Sequence, residues 1–490
     1  MQPPIDWSRP QRQPLSGLMV ALLKSFGSLL KGLWPFVLLA IFRSNDEEAD
    51  KSIFMFSVIT AVTVLVLIGS LINFFFFRFY IQQDELVIKK GWLKKQVLTI
   101  PLQKIQAVHI EQGLLHQLLN IVKLSADTAG SSKTEVSIEA LHKPMAEALR
   151  QRLSQQIENN AGTPNAATAT PLLTLSEKDL LKLSFSANHI EAFFILLSAV
   201  YGIFDNLKTV NETWVAGAEG WLPAGTVTVL LFFVTTVLII TLLISTTRIF
   251  FKFYGFTALQ SPAGLQLKSG LASTRERFVA FQKVQYISWR ANWVRRKLGI
   301  WLLQYHTAGG YDDAEKQNMK AEVPLTQKHF ISLLVQPYHP LPHTDENLAV
   351  RVHAAYVARR TLMAGLVPAL VLIAATAYWW QYRSLFFLLW PLLTLWRTWL
   401  FQRSFRLHLS EEVLYLRRGA WGVEKLLLKW NAAQSVAFSQ SLYQQQKGLA
   451  SIKIYTAAGA IVIPYIDVAL AQAILNYGLY KVEKENEGFL

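Results

Sequence analysis

The chain has 490 residues, of which 52% are hydrophobic, and it includes 15 Trp and 29 Phe. This apolar content is high for a soluble domain and indicates a membrane protein. The 48 basic and 33 acidic residues give a net charge of +15, which in a membrane protein is typical of cytoplasmic segments rather than of nucleic-acid binding. The absence of cysteine excludes disulfides, thiol catalysis and cysteine-ligated metals.

Apolar runs recur in three pairs along the chain, and each pair predicts a hairpin of two membrane-spanning helices. The runs cover residues 17–42, 53–77, 190–204, 227–245, 362–380 and 385–401. The first run contains Lys24 and Lys31, seven positions apart on one helical face. These lysines either extend towards the lipid headgroups or supply an intramembrane cation for a substrate.

Charges near the ends of the runs predict the orientation. Basic residues flank the side that carries the segments between hairpins: Arg78, Arg248, Lys252, Arg403 and Arg406. Acidic residues occupy the opposite turns: Asp46, Glu47, Glu48, Asp50, Asp205, Glu212 and Glu219. Because basic residues concentrate on the cytoplasmic side, both termini and the segments between hairpins are expected there.

One stretch of about 45 residues occurs three times, beginning at Leu86, Leu265 and Leu414. Its spacing is constant, since Gly91 to Thr128, Gly270 to Thr307 and Gly419 to Thr456 are each 37 positions apart by subtraction. Such a repeat indicates one supersecondary unit used three times.

Each copy reads as β-structure followed by a helix. Gly91, Gly270 and Gly419 lie between two runs of β-forming residues, where a hairpin turn needs a positive φ. A short helical turn then ends at Asn120, Gly299 or Gly448, which tolerate the left-handed conformation. Two more strands and a helix complete the unit, and Asp467 is placed to cap the last helix. The pattern predicts a small bent sheet or sandwich with a C-terminal helix.

Two polar, proline-punctuated stretches serve as predicted linkers. The domains are therefore expected to be 1–77 (N-terminal segment and first hairpin), 78–158 (first β-domain), 159–171 (linker), 172–248 (second hairpin), 249–336 (second β-domain), 337–347 (linker), 348–401 (third hairpin) and 402–490 (third β-domain).

The repeat resembles the bacterial pleckstrin-homology-like (PH-like) membrane protein family of the YdbT/YdbS type. The first copy carries Gly91, Pro101, Gln103, Lys104, Gln106, Val108 and Thr128–Gly130 of that pattern. The second keeps Gly270, Gln282, Lys283, Gln285, Leu298–Ile300 and Thr307–Gly309. The third departs most, with Lys429, Trp430 and Asn431 near the Pro-Leu-Gln position and its glycine one residue late, at Gly459.

This resemblance implies an α+β membrane protein in which six transmembrane helices form three hairpins. Each hairpin would be followed by a cytoplasmic PH-like split β-barrel or sandwich with a C-terminal helix. It also implies a bacterial inner-membrane location, a short single-unit relative as partner, and a role in envelope integrity or resistance to membrane-active peptides. It implies no enzymatic activity.

The sequence offers little sign of catalysis. Residues shared by all three copies are Gly, Gln, Thr and Ala, which suit turns and strand packing. His306 has no visible base–orienter pair, and His339 and His343 flank prolines without a nearby third metal ligand. No phosphate-binding, zinc-protease or serine-hydrolase motif is present. We therefore predict no catalytic, cofactor-binding or metal-binding residues.

Basic clusters are the candidate contact residues for anionic lipids or partners. They are Lys89, Lys90, Lys94 and Lys95 at the first hairpin turn, Arg295, Arg296 and Lys297 in the helical turn of the second copy, and Arg417 and Arg418 at the third hairpin turn. A soluble PH domain binds anionic headgroups through a basic hairpin, and these positions resemble it. The alternative is a solvated charged edge that blocks strand pairing between molecules.

The sequence thus favours a non-enzymatic membrane scaffold with three PH-like domains, whose partners are membrane lipids, the short relative, a homo-oligomer, or a combination of these. A transporter or lipid-moving protein is the first alternative. The predicted spans argue against it, because they lack paired charges and Gly/Pro breaks at matching positions. A membrane enzyme acting on lipid or peptide is the second alternative.

Overall fold

The computed structural model describes residues 6–42, 49–128, 136–161, 170–189, 192–198, 226–261, 264–307, 321–325, 329–342 and 348–486. The chain forms two compact units. The first contains the chain up to Leu173 together with Gly255–Ala280, and the second contains Thr174–Tyr254, Phe281–Ala308 and the chain from Lys316. The division falls inside the second repeat, because the strands of that repeat are shared between the sheets of its neighbours.

The first repeat follows helices α1 (Ser16–Phe42) and α2 (Ala49–Phe76). Its strands are β1 (Arg78–Gln82), β2 (Glu85–Lys90), β3 (Gln96–Pro101), β4 (Ile105–Gln112), β5 (Ile121–Thr128) and β6 (Val136–His142). Helix α3 (Leu114–Leu118) separates β4 from β5, and α4 (Lys143–Ala161) ends the repeat.

Two sheets and a helix enclose the core of the first repeat. Phe79 and Leu86 from β1 and β2 pack with Leu124 of β5. Leu149 and Leu153 of α4 are fully buried in the same cluster, and Met145 packs against it. The four-residue spacing of those three side chains thus marks the buried face of α4, since residues four apart lie on one side of a helix. The result is the expected sandwich closed by a C-terminal helix.

The second repeat follows β7 (Thr170–Thr174), α5 (Glu177–Phe185) and α6 (Thr226–Phe253). Its strands are β8 (Thr257–Ser261), β9 (Gly264–Ser269), β10 (Thr274–Ala280), β11 (Val284–Asn292), β12 (Trp301–Thr307) and β13 (Ala321–Leu325). Helix α7 (Trp293–Lys297) follows β11, and α8 (His329–Val335) follows β13. A short strand and a short helix thus precede the long apolar helix α6.

The third repeat follows α9 (Ala355–Thr361), a π-helical turn (Leu362–Leu366), α10 (Val367–Trp380), a 3₁₀ segment (Gln381–Leu388) and α11 (Leu389–Ser404). Its strands are β14 (Arg406–Leu409), β15 (Val413–Arg418), β16 (Gly422–Lys429), β17 (Ala433–Ser439), β18 (Leu449–Thr456) and β19 (Gly459–Asp467). Helix α12 (Leu442–Gln446) precedes β18, and α13 (Val468–Asn486) ends the repeat.

The third core uses the same plan as the first. Leu414 and Leu426 of one sheet pack with Ile452 of the other and with Ile474 of α13. Asp467 Oδ1 accepts the Ala469 N–H at 2.9 Å, which satisfies a free donor in the first turn of α13 as predicted.

Four helical segments among the described residues are long and apolar enough to cross a membrane: Ser57–Phe76, Leu231–Phe253, Ala355–Tyr378 and Gln381–Ser404. In α1, Ser16–Leu29 counts as a shorter apolar helix. Much of the predicted run at 190–204, and the acidic turns at 43–48 and 199–225, lie outside the described residues. Both predicted runs of the third pair thus fall on candidate spans, whereas the hairpin arrangement and the six-span count stay predictions.

The hairpin glycines adopt the conformation that the repeat requires. Gly91, Gly270 and Gly419 have φ of +89°, +113° and +148°. A Cβ at Gly419 would overlap the carbonyl oxygen of Gly422 across the turn. The predicted left-handed residues Asn120, Gly299 and Gly448 also have positive φ. These shared residues therefore specify turns.

Consecutive repeats are joined edge to edge. Strand β4 of the first repeat pairs antiparallel with β10 of the second in a seven-stranded sheet of order β6-β5-β4-β10-β9-β8-β7. Strand β11 of the second repeat pairs antiparallel with β16 of the third in a six-stranded sheet of order β13-β12-β11-β16-β15-β14. Each of these sheets lies within one compact unit, so each unit contains a sheet built from strands of two consecutive repeats.

The two junctions have the same register. Glu111 lies opposite Arg275 in the first, and Arg290 lies opposite Glu424 in the second. Arg290 is the repeat equivalent of Glu111, and Glu424 is the equivalent of Arg275. Both junctions therefore place opposite charges face to face, with the signs exchanged.

Tyr338, in the predicted linker 337–347, fastens the second junction. It is 6% exposed, and its hydroxyl donates to the Gln285 carbonyl at 2.7 Å and accepts the Lys429 N–H at 2.9 Å. Burial raises the pKa of Tyr338 to about 12, with the Lys429 N–H opposing that rise. The hydroxyl thus remains a donor well above pH 10.

We expect Tyr338→Phe to lower the free energy of unfolding by about 1–2 kcal/mol, since two backbone groups lose their partner. Because the folded pKa lies above the unfolded value near 10, the contribution of the hydroxyl is complete below pH 10 and is lost as pH rises towards 12. Thermal unfolding of both proteins between pH 8 and 11 measures this. A difference that grows with pH would contradict the assignment.

Candidate functional site

The topology of the repeat carries its basic hairpin to the membrane end. Strand β1 begins at Arg78, directly after the apolar helix α2, and Arg78 lies opposite Lys89 near the end of β2. In the third repeat, Arg406 follows α11 and lies opposite Arg417. The turn after the second strand is therefore next to the end of a candidate membrane span.

The first hairpin turn exposes all four of its predicted lysines. Lys89, Lys90, Lys94 and Lys95 are exposed to solvent, and Lys89 lies 5.2 Å from the centroid of the Tyr80 ring. Trp92 and Leu93 at the tip are 55% and 89% exposed. Exposed apolar side chains between lysines suit the interfacial region of a bilayer, where rings and aliphatic chains enter and amines meet phosphates.

The basic turn of the second repeat contains one cation that is held by neighbouring residues and two that are exposed to solvent. Asn292 caps α7 by accepting the Arg295 N–H at 2.8 Å and donates to the Ser186 carbonyl at 2.7 Å. Arg295 Nε donates to Ser186 Oγ at 3.3 Å, and burial, followed by repulsion from Arg290, lowers the pKa of Arg295. Arg296 and Lys297 are exposed. Of the three cations, only these two can meet a ligand without breaking the contact between Arg295 and Ser186.

The third hairpin adds a row of like charges that the sequence did not reveal. Arg417 lies opposite Arg406 in β14 and opposite Lys425 in β16. Like charges directly opposite each other destabilise a sheet. The Nε of Arg417 is buried and has no hydrogen-bond partner among the described residues. Arg418, in contrast, forms an ion pair with Glu424 at 2.7 Å. The row Arg406–Arg417–Lys425 is therefore a candidate contact for an anion.

The third hairpin also packs on α11, a candidate membrane span. Trp421 at the tip and Trp396 of α11 have ring centroids 5.8 Å apart, and Ser404 Oγ donates to the Gly419 carbonyl. Arg403 lies 4.1 Å from the Trp399 ring centroid in the same helix. Tryptophan and arginine are typical of the membrane–water interface. These contacts place the third hairpin beside the C-terminal part of α11, a candidate membrane span.

The other candidates from the sequence have structural surroundings. Lys24 forms an ion pair with Glu139 of β6 at 3.2 Å, and the pKa of Glu139 is lowered because Lys123 and Lys24 outweigh its desolvation. Lys24 thus lies beside the sheet of the first repeat. The side chain of Lys31 lies outside the described residues.

Two of the three histidines considered in the sequence lie in the described part of the chain, and both contact neighbouring side chains. His306 Nε2 lies 2.9 Å from Ser288 Oγ, and its ring stacks on Tyr286 at 4.0 Å. His339 contacts Glu412 at 3.1 Å, whereas His343 lies outside the described residues. In the parts of the chain that the structure covers, no three His, Asp or Glu side chains are grouped as a metal site.

Apolar helices of membrane-spanning length, together with repeated β-sandwiches and basic hairpins at the helix ends, define a membrane protein with tandem PH-like domains. The chain belongs to the bacterial PH domain family, whose model matches three times, at residues 22–157, 196–330 and 351–481. This triple match confirms the resemblance carried by the repeats.

The chain is similar to the transmembrane protein YdbT of Bacillus subtilis (strain 168). The two are 21% identical over 358 residues, which cover 69% of this chain and 71% of that protein.

Proposed function

We propose that this protein is a non-enzymatic, membrane-anchored platform for assembling other molecules at the membrane surface. The carrying observation is the pairing of β4 with β10 and of β11 with β16, which joins successive repeats into continuous sheets. Modules joined in this way present extended surfaces for partners rather than separate binding pockets.

The proposed orientation places the repeats in the cytoplasm of a bacterial inner membrane, with six spans in three hairpins and both termini cytoplasmic. Basic residues at the membrane ends of the repeats support this side. The relationship to a transmembrane protein and the candidate spans support membrane insertion. A role in envelope homeostasis or resistance to antimicrobial peptides, together with a short single-unit PH-like protein, rests on the resemblance alone.

Purification of the tagged full-length chain in a mild detergent, with mass analysis of copurified proteins and lipids, tests the platform. We expect stoichiometric protein partners or multiple copies of the chain. A lone chain retaining one small substrate would contradict the platform and favour a transporter. Turnover of a copurified lipid or peptide would favour an enzyme.

The second candidate function is recognition of anionic headgroups by the basic hairpins. The row Arg406–Arg417–Lys425 beside a membrane-spanning helix specifically favours it. Each basic residue near an anionic leaflet contributes about 1 kcal/mol. The repeats are already anchored by their helices, so the expected consequence is lipid selection rather than membrane attachment.

We expect the full-length K94E/K95E variant to retain about tenfold less anionic lipid after purification, because two attractive charges become repulsive. Lys104→Glu with Arg152→Glu is the matched control, since both side chains are exposed and lie outside the hairpin. Lipid bound to each variant in nanodiscs is quantified by mass spectrometry. Equal losses in the two variants would show a general charge effect and remove the hairpin from the proposal.

A further inference from the structure

We propose that β3 and β17 are two halves of a further junction, formed between two copies of this chain. The inference rests on the proposed platform function and names its partner as a second copy. Among the described strands, β3 pairs only with β2, and β17 pairs only with β18. Each is therefore an edge strand with one row of unpaired backbone groups, which is a template for another strand.

The two free edges are of the types that pair inside the chain. Strand β17 occupies the repeat position of β4 and β11, and β3 occupies the position of β10 and β16. Both internal junctions join a strand of the first type to a strand of the second type from the next repeat. Among the described strands, β3 and β17 thus remain as one unpaired member of each type, and head-to-tail association of two copies would pair them.

The shared register predicts the facing residues. Equivalence with Glu111–Arg275 and Arg290–Glu424 places Ser439 opposite Gln96. Both side chains are exposed, and both are polar and uncharged. Each internal junction pairs an acidic residue with a basic one at this position, and the proposed junction pairs two neutral residues. No junction therefore leaves a charge at this position without an opposite charge across it.

The next position along the register strengthens this pairing. Phe438 would face Val97, where the internal junctions have Ile110 facing Glu276 and Trp289 facing Lys425. Val97 is 59% exposed on its free edge. An aromatic residue opposite a β-branched residue is a favourable cross-strand pair. At this position the proposed junction pairs two apolar residues, whereas each of the two internal junctions pairs an apolar residue with a charged one.

Charge also disfavours wrong partners. A copy that offered β10 to β11 would place Arg275 opposite Arg290, and β4 against β16 would place Glu111 opposite Glu424. Pairing of β3 with β17 brings no like charges together, because Gln96 and Ser439 are both neutral. Such a contact uses different surfaces on the two copies, so repetition gives a ring or an open row. Anchoring both copies in one membrane raises their local concentration.

The natural absence of cysteine permits a direct test. One tagged full-length chain carries Ser439→Cys, and a second chain with a different tag carries Gln96→Cys. Both are coexpressed, and membranes are treated with a short bismaleimide before solubilisation. We expect a cross-linked species that carries both tags, which can arise only between chains. Each single variant alone should give at least about fivefold less dimer.

A chain with Glu111→Cys and Arg275→Cys is the positive control, because its cross-link forms inside one molecule. Cross-linking of that control without any two-tag product would overturn the inference. Capture of a single-unit relative in place of a second copy would also overturn it, while leaving the platform function intact. Absence of every partner would contradict both.

Charge at the predicted pair gives an independent test. Chains with both Gln96→Arg and Ser439→Arg should self-associate about fivefold more weakly than the wild type, and Gln96→Arg with Ser439→Glu should recover. Analytical ultracentrifugation in detergent measures both. Equal association of the two variants would contradict the register. Both positions are exposed on edge strands, so the substitutions are not expected to change folding, and a difference in association reports on the junction.

Discussion

Replacing Glu111 with arginine is expected to lower the free energy of unfolding by about 2 kcal/mol, or the melting temperature by about 5 °C. Glu111 lies between Lys123 of its own repeat and Arg275 of the next repeat. The substitution creates three adjacent cations across one sheet, and the repulsion falls on the strand pair that joins the repeats. Thermal unfolding of the detergent-solubilised chain, followed by tryptophan fluorescence, measures the shift.

Exchange of the charges provides the control. Arg275→Glu in the same chain restores an opposite-charge pair across the junction, whereas Lys123 still faces the introduced arginine, so E111R/R275E should regain about half of the lost stability. Glu111→Gln, which removes the charge without reversing it, should cost about half as much as Glu111→Arg. If R275E fails to rescue E111R, the two positions do not face each other and the first junction is wrong.

Gly419→Ala is expected to cost about 3 kcal/mol or more, which makes it one of the most damaging single-methyl changes in the third repeat. Gly419 combines a φ of +148° with a turn in which a Cβ overlaps the Gly422 carbonyl. The new methyl must therefore open the β15–β16 turn. This would also displace Trp421 from Trp396 at the membrane end.

Gly448→Ala is the matched control for that prediction. Gly448 also has a positive φ, of +64°, but a Cβ there would meet nothing within 4 Å. Its replacement should cost only about 1 kcal/mol, which is the conformational penalty alone. Similar losses in melting temperature for the two variants would show that the hairpin turn is not as tight as described.

Periodic and turn-forming residues made the individual repeat predictable. The positive φ at Gly91, the buried face of Leu149 and Leu153, and the cap at Asp467 all follow from local spacing. Local rules suffice there because the partners lie within one turn or one helix. The PH-like fold could therefore be inferred copy by copy.

The connection between repeats could not be inferred in that way. Glu111 and Arg275 are far apart in sequence, and any edge strand offers the same backbone groups to a partner. Arg417 was visible as part of a basic pair, but its neighbours Arg406 and Lys425 come from other strands, so the row appears only with the register. Tyr338 was hidden in a stretch whose prolines predict a linker, although its side chain is buried.

Cross-linking of cysteine pairs across the two internal junctions tests the central claim most directly. In the naturally cysteine-free chain, E111C/R275C and R290C/E424C should each form an intramolecular bismaleimide link in intact membranes. Pairs shifted by four residues along one strand should link much more slowly. Links at the matched positions, detected by peptide mass analysis, are the predicted result. Failure of both matched pairs, with normal linkage of K90C/Q96C across the first hairpin, would contradict the edge-to-edge architecture.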